Sequence, residues 1–196
     1  QIDKEAFYRS TLLPYLKVRA TYGYNGNFSR TTSALTTATY SVNELGVTQG
    51  TIQNPPNSNL RWEQIRVLNL GMDFSFRNNR VTGSIEFYHK QLKDLIGTGP
   101  VDPTTGLTRG SGIPTFVGNL ASMKGKGMEL TLSSINIQSK FKWSSDLLFS
   151  YALNKVTEYL LPPPKSPSAF INTSQSITPI LGKPIYTMYR YRWAGL

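Results

Sequence analysis

The stretch VLNLGMDFSFRNNRVTGSIEFY, residues 67–88, decides the fold. Apolar residues occupy every second position on both sides of its polar centre, RNNR. This period of two predicts two half-buried β-strands. Asparagine tolerates positive φ, so Asn78 and Asn79 suit a two-residue type I′ turn that joins the strands into a hairpin.

The turn also predicts the register of the hairpin. The pairs that it places opposite each other are apolar, or apolar with glycine: Phe76 with Val81, Phe74 with Gly83, Met72 with Ile85, and Leu70 with Phe87. Polar residues meet on the other face. A shift of one residue would turn every side chain to the wrong face, so the register is well specified.

Similar alternation recurs along the chain. Strands are predicted near residues 15–25, 62–77, 80–93, 126–136, 141–155 and 184–194, with a weaker candidate near 36–42. The connections between the six strands alternate between long loops and short turns. In an antiparallel up-and-down meander this places short turns on one side and long loops on the other, which is typical of outer-membrane β-barrels. The predicted fold class is all-β, a segment of a large transmembrane β-barrel.

A soluble β-sandwich also has strands with alternating faces, so the pattern leaves this alternative open. The strand count adds a constraint to the barrel interpretation. Six strands are fewer than the minimum of about eight for single-chain outer-membrane barrels, and lipid does not tolerate open sheet edges. If the chain is part of a barrel, more strands must complete it.

Composition and charge exclude several functions. Of the 196 residues, 39% are hydrophobic and 16% are charged, and no apolar run is long enough for a transmembrane helix. The net charge is +10, but the basic residues are scattered singly, so nucleic acid is not a predicted partner. There is no cysteine, and His89 is the single histidine. No catalytic residue, metal site or cofactor is therefore predicted, and the chain is not expected to be an enzyme.

The barrel interpretation nevertheless assigns two groups of candidate site residues. Charged side chains on the polar face are expected to face the lumen: Arg19, Asp73, Glu86, Glu129, Arg190 and Arg192. Aromatic residues of the long loops are candidates for ligand contact: Phe116, Tyr159 and Phe170. Packing within the loops is the simpler explanation for these rings.

Several blocks, in order, resemble the SusC/RagA-type TonB-linked outer-membrane transporters of Gram-negative bacteria. These blocks are LKVRATYG at 16–23 with Gly26-Asn27, NLRWE at 59–63, GMDF at 71–74, YHKQLKDLI at 88–96, GKGMEL at 125–130, and RWAGL at 192–196. Two positions depart from the family pattern. Leu92 replaces a usual threonine, and Gly125 stands where asparagine is common.

The resemblance implies that residues 1–196 are a partial barrel from a plugged importer of about 22 strands. Such importers lie in the outer membrane, take up nutrients such as glycans or peptides, are energised by TonB, and work with a SusD-like surface lipoprotein. The plug domain and the part that meets TonB are expected elsewhere in the parent protein, so this chain is not expected to transport alone. The alternative function is a soluble all-β carbohydrate-binding module.

Overall fold

The computed structural model describes residues 2–8, 10, 12–30, 32–76, 79–107, 114–164, 166–171 and 179–195. The strands are β1 (Tyr15–Asn27), β2 (Thr37–Val42), β3 (Thr48–Asn54), β4 (Glu63–Phe76), β5 (Val81–Pro100), β6 (Thr115–Gln138) and β7 (Lys142–Tyr159). Short 3-10 helices occur among the described residues at Ile2–Lys4, Pro103–Thr105 and Pro167–Phe170. In the part of the chain that is described, no helix has the length and apolar character to cross a membrane.

The five long strands form one sheet in the order β1-β4-β5-β6-β7. The two strands β2 and β3 form a separate antiparallel hairpin within the connection from β1 to β4. The fold is therefore all-β and antiparallel, and each long strand lies beside the next long strand of the chain. This is the predicted meander, with an additional hairpin in a connection that was predicted to be mostly loop.

The contacts of the central hairpin agree with its predicted register. The ring of Phe74 ends 3.0 Å from the position that a Cβ atom would take at Gly83. Asn79 has a φ of 65°, as a type I′ turn requires, and its side chain is hydrogen-bonded to the Ser75 hydroxyl. The other turn residue, Asn78, lies outside the described residues.

The chain divides into two compact units. Unit 1 consists of Gln1–Tyr24, Arg66–Gln91 and Lys124–Asn154, and it contains the short turns between β4 and β5 and between β6 and β7. Unit 2 consists of Asn25–Ile65, Leu92–Met123 and Lys155–Leu196, and it contains the long connections. Short and long connections thus belong to different units, as the predicted alternation requires.

Burial differs between the units. The buried hydrophobic residues among those described are Val101, Leu120, Met123 and Val156, all in unit 2. In unit 1, large apolar side chains of the strands are instead exposed: Val18, Tyr22, Leu70, Phe87, Trp143, Leu147, Phe149 and Tyr151. Such a row of exposed apolar side chains is expected where a sheet faces lipid rather than its own core.

The strands extend further than predicted. Strand β5 continues to Pro100 rather than ending near residue 93, and β6 begins at Thr115 rather than near residue 126. Asp94 has a φ of 56°, which interrupts the alternation of faces without ending the strand. The sequence pattern breaks at that residue, although the hydrogen-bonded strand does not.

The prediction of a last strand at residues 184–194 is wrong, since the structure has no strand there. Backbone hydrogen bonds join Val156 of β7 to Lys183 and Gly182, and the segment then leaves the sheet. Pro184 follows directly and has no N–H to donate. Alternation predicts which residues share a face, but a strand also needs a hydrogen-bonded partner along its length.

Candidate functional site

The centre of the polar face in unit 1 is an ion pair shared by three strands. Arg19 of β1 donates through Nη2 to Asp73 Oδ1 of β4 and to Glu86 Oε1 of β5, each at 2.8 Å. Asn69 Nδ2 approaches Glu86 Oε2 at 3.4 Å. The Arg19 side chain is 40% exposed and the two carboxylates 25% and 29%, so water reaches the group from one side.

Gly71 of β4 makes room for this arrangement. A Cβ atom at position 71 would lie 3.3 Å from Arg19 Nη2 and 3.4 Å from Cζ, so the guanidinium rests above bare backbone. We refer to Arg19, Asn69, Gly71, Asp73 and Glu86 as the Arg19 cluster. It has two carboxylates for one guanidinium, which leaves one negative charge.

Two buried polar atoms of the Arg19 cluster are left without a hydrogen-bond partner among the described residues. These atoms are Asn69 Oδ1 and Arg19 Nε. Buried polar atoms usually find partners, because an unsatisfied one costs about 1–3 kcal/mol. With its excess negative charge, the cluster is suited to contact a further polar group that carries positive charge.

An aromatic ring lies on the same face of β5, two residues beyond Glu86. The Tyr88 ring covers Gly127 of β6 and occupies the space that a side chain at position 127 would need. Lys90 Nζ lies 4.7 Å from the centroid of this ring, within the range of a cation–π contact. The polar face therefore combines charged groups with one ring that lies close to the backbone.

The structure brings together three of the six residues that were predicted to face a lumen, namely Arg19, Asp73 and Glu86. Glu129 is exposed on β6, on the same face as Gly127 because it lies two residues further along. Arg190 and Arg192 are exposed and belong to unit 2, in the segment that is not a strand.

The three candidate aromatic residues pack against residues of unit 2. Phe116 belongs to β6 rather than to a loop, and its ring lies 3.1 Å from the Cβ position of Gly99. Tyr159 ends β7 and lines a cavity of about 440 Å³. The ring of Phe170 lies 5.3 Å from that of Tyr189, centroid to centroid. Ligand contact by these rings remains a prediction.

A second polar cluster lies in unit 2 around Asn119 of β6. Its Nδ2 donates to the carbonyl oxygens of Arg61, at 2.8 Å, and of Asp94, and its Oδ1 accepts from the Arg61 backbone N–H at 2.7 Å. Arg61 Nη2 lies 3.7 Å from Asp94 Oδ1. We call Arg61, Asp94 and Asn119 the Asn119 cluster. The side-chain amide of Asn119 thus satisfies backbone groups of both Arg61 and Asp94.

Glu63 of β4 has a related position in unit 2. Its Oε2 accepts from Asn27 Nδ2 at 2.7 Å, and its Oε1 accepts from the Ile96 backbone N–H at 2.9 Å. Asn27, Arg61, Glu63 and Asp94 all belong to the sequence blocks described above, and these contacts give each a structural role. Asn119 lies outside those blocks, and no sequence signal distinguishes it.

The composition of the site restricts its chemistry. Among the described residues, no group of three or more His, Asp or Glu side chains is placed to hold a metal ion. Asp102 caps the short helix Pro103–Thr105: Thr104 donates its backbone N–H and its hydroxyl to the Asp102 carboxylate, and these hydrogen bonds hold the pKa of that carboxyl below its usual value. The polar face with the Arg19 cluster is therefore suited to binding and charge pairing.

Comparisons with known proteins identify the family. The model of the family described as TonB dependent receptor-like, beta-barrel matches residues 6–190. TonB-dependent receptor P26 of Formosa agariphila is 32% identical over 73% of this chain and 14% of its own length. TonB-dependent receptor P3 of the same organism is 30% identical over 98% of this chain and 20% of its own length.

TonB-dependent receptor SusC of Bacteroides thetaiotaomicron is 26% identical over 81% of this chain and 16% of its length. The chain thus spans about a fifth or less of these curated relatives. Among solved structures, that of the RagAB peptide transporter superposes with a TM-score of 0.70 at 22% identity, over 93% of this chain and 19% of that one. This likeness shows the fold, a partial barrel. The chain belongs to the TonB-dependent-receptor-like β-barrel family.

Proposed function

We propose that this chain forms part of the barrel wall of an outer-membrane importer that TonB energises. The observation that carries this proposal is the family match over residues 6–190. The sheet of this chain also exposes apolar side chains that need to be covered by an apolar medium. For Val18, Leu70 and Phe87, that medium is the lipid of the membrane. The polar face, with the Arg19 cluster, then lines the lumen of the barrel.

In such a wall the Arg19 cluster faces other parts of the parent protein or the passing nutrient. Its excess negative charge favours a cationic group at this point. Glu129 extends the same polar face on β6. Arg190 and Arg192 are further lumen candidates, although their segment is not a strand.

The proposed cargo is a nutrient of the oligosaccharide or peptide class. The RagAB structures are of a peptide importer, which supports the peptide class for a related barrel. Phe116, Tyr159 and Phe170 are the ring candidates in this chain for contact with cargo. The proposed partners of the parent protein are TonB and a SusD-like surface lipoprotein.

The alternative, a soluble all-β carbohydrate-binding module, is not favoured. A sandwich would cover the apolar faces of its strands with a second sheet. Unit 1 instead leaves these faces exposed, and the sequence relatives are receptors much longer than this chain.

Cysteine labelling of the parent protein in isolated outer membranes tests the proposal. Leu70→Cys, on the apolar face, should react with a lipid-soluble maleimide and resist a charged one. Tyr40→Cys, in the exposed β2–β3 hairpin, is the control that should react with both. Rapid labelling of Leu70→Cys by the charged reagent would contradict a lipid-facing wall.

Uptake tests the transport part of the proposal. Cells without the parent gene should lose growth on one class of nutrient, and a protonophore should stop uptake in cells that have the gene. Parallel growth on oligosaccharides and on peptides as the limiting nutrient separates the two cargo classes. Uptake that persists without a proton gradient would contradict energisation through TonB.

A further inference from the structure

The apolar face of unit 1 changes character along its strands. On β4, Phe76, Phe74, Met72, Leu70 and Leu68 occupy alternate positions, and the next residue on that face is Arg66. An arginine in this position is unusual, because a charged side chain on the lipid side of a barrel is costly near the bilayer midplane and nearly neutral at its surfaces.

The neighbouring strands change in the same way. On β5, Phe87 is followed on its face by His89, and on β6, Met128 is followed by Lys126 and Lys124. Contacts on the opposite face establish this assignment: the Tyr88 ring covers Gly127, and Lys90 lies beside Gly125. Since successive side chains point to opposite faces, His89, Lys124 and Lys126 share the apolar face with Arg66.

Two tyrosines of β1, Tyr22 and Tyr24, lie close to Arg66. The hydroxyls of Tyr22 and Tyr24 are 2.7 Å apart, and the Arg66 guanidinium lies 5.1 Å from the centroid of the Tyr24 ring. Arg66 Nε is buried without a hydrogen-bond partner among the described residues. The Arg66 guanidinium therefore lies against the Tyr24 ring. The ion pairs among the described residues do not include Arg66.

We define Arg66, His89, Lys124 and Lys126 as the basic belt. The apolar positions from Phe76 to Leu68 span roughly 26 Å of strand, at about 3.3 Å per residue. With a tilt of about 40°, this gives an apolar band roughly 20 Å tall, close to the height of about 25 Å that is usual for such barrels. Tyrosines and cations at the edge of that band occupy the level of lipid headgroups.

We propose that the basic belt binds the phosphate groups of lipid headgroups with a net negative charge, at one surface of the membrane. This inference rests on the proposed location in an outer membrane. Phosphate is the group that fits, because it carries negative charge and accepts hydrogen bonds from both guanidinium and ammonium groups. The tyrosines place the ligand at the edge of the apolar band, where a lipid can insert its chains beside Leu68 and Phe87.

Binding of phosphatidic acid to the purified, full-length parent protein in detergent tests the proposal. Native mass spectrometry can follow the bound lipid during titration, with phosphatidylcholine as the zwitterionic comparison. Replacing Lys124 and Lys126 together by Gln should weaken phosphatidic acid binding by roughly 30-fold, at about 5-fold per charge removed. The same replacement by Arg should retain binding.

The matched control is Lys17→Gln combined with Lys90→Gln. This double variant removes the same amount of positive charge, but from the polar face of β1 and β5. This variant should bind phosphatidic acid within about 2-fold of the unchanged protein. Equal losses in the two double variants would overturn the basic belt. Full competition by inorganic phosphate would also overturn it, since the site would then bind anions without recognising a lipid.

The test separates this inference from the proposed function. A parent protein that is folded and monodisperse in water without detergent would contradict the membrane location itself. A parent protein that needs detergent, but binds phosphatidylcholine as tightly as phosphatidic acid, would contradict the basic belt alone. Heat-dependent gel mobility of each variant checks that its barrel is folded before binding is compared.

Discussion

The Arg19 cluster of unit 1 and the Asn119 cluster of unit 2 both join segments that are distant in sequence, but they do so with different partners. Arg19 bonds to the side chains of Asp73 and Glu86, whereas Asn119 bonds to the backbone of Arg61 and Asp94. Side-chain ion pairs can rearrange when another charge approaches. Amide-to-backbone bonds fix where the chain runs. The comparison indicates a responsive cluster in one unit and a positioning cluster in the other.

The largest effect is expected for Asn119→Leu. The replacement keeps the size of the side chain but removes all three hydrogen bonds to Arg61 and Asp94, so the parent protein should lose about 2–3 kcal/mol of unfolding free energy. Urea titration in detergent measures this loss. The control is Asn136→Leu. Asn136 donates to the Ser145 hydroxyl and accepts from the Ser134 hydroxyl, and since both hydroxyls can rotate toward water, the loss should stay below about 1 kcal/mol. Similar losses at the two positions would contradict a positioning role for Asn119.

A smaller effect is expected for Arg19→Gln. Without the guanidinium, Asp73 and Glu86 repel each other, so the urea midpoint should fall. Adding Glu86→Gln should restore much of it. The effect should shrink at about 1 M salt, because the groups are partly exposed and are screened. An Arg19→Gln effect that is unchanged by salt and by Glu86→Gln would mean that Arg19 acts through packing rather than charge.

The smallest effect is expected for Gly71→Ala. The added methyl meets the end of the flexible Arg19 side chain, which can move aside, so the stability should change by less than about 0.5 kcal/mol. The matched control is Gly83→Ala, where the methyl meets the Thr131 carbonyl oxygen at 2.5 Å and should cost about 1–3 kcal/mol. Equal urea midpoints for the two variants would show that the backbone at Gly83 yields as easily as the Arg19 side chain.

Much of the fold could be predicted because period-two alternation is a local property. The hairpin with Phe74 beside Gly83 follows from alternation and turn chemistry, without knowledge of distant residues. The missing strand at 184–194 shows the limit of this argument. Alternation there carries no information about whether a neighbouring strand accepts its hydrogen bonds.

The site was partly predictable for the same reason. Arg19, Asp73 and Glu86 could be placed on one face from their positions in their strands, but their meeting depends on the stagger between β1 and β4. Asn119 could not be predicted, because an asparagine in a strand looks like any other polar residue until the backbone that it bonds is located. The positive φ of Asp94 is likewise set by the tertiary structure.

The packing of Tyr88 on Gly127 has a consequence for how this sequence can change. A side chain at position 127 would overlap the Tyr88 ring in its present position, whereas a smaller residue at position 88 would leave that space free. Substitution at Tyr88 before Gly127 therefore avoids this overlap. Along the reverse path, the intermediate protein would have to displace the ring from the wall, so the two positions constrain the order of mutation.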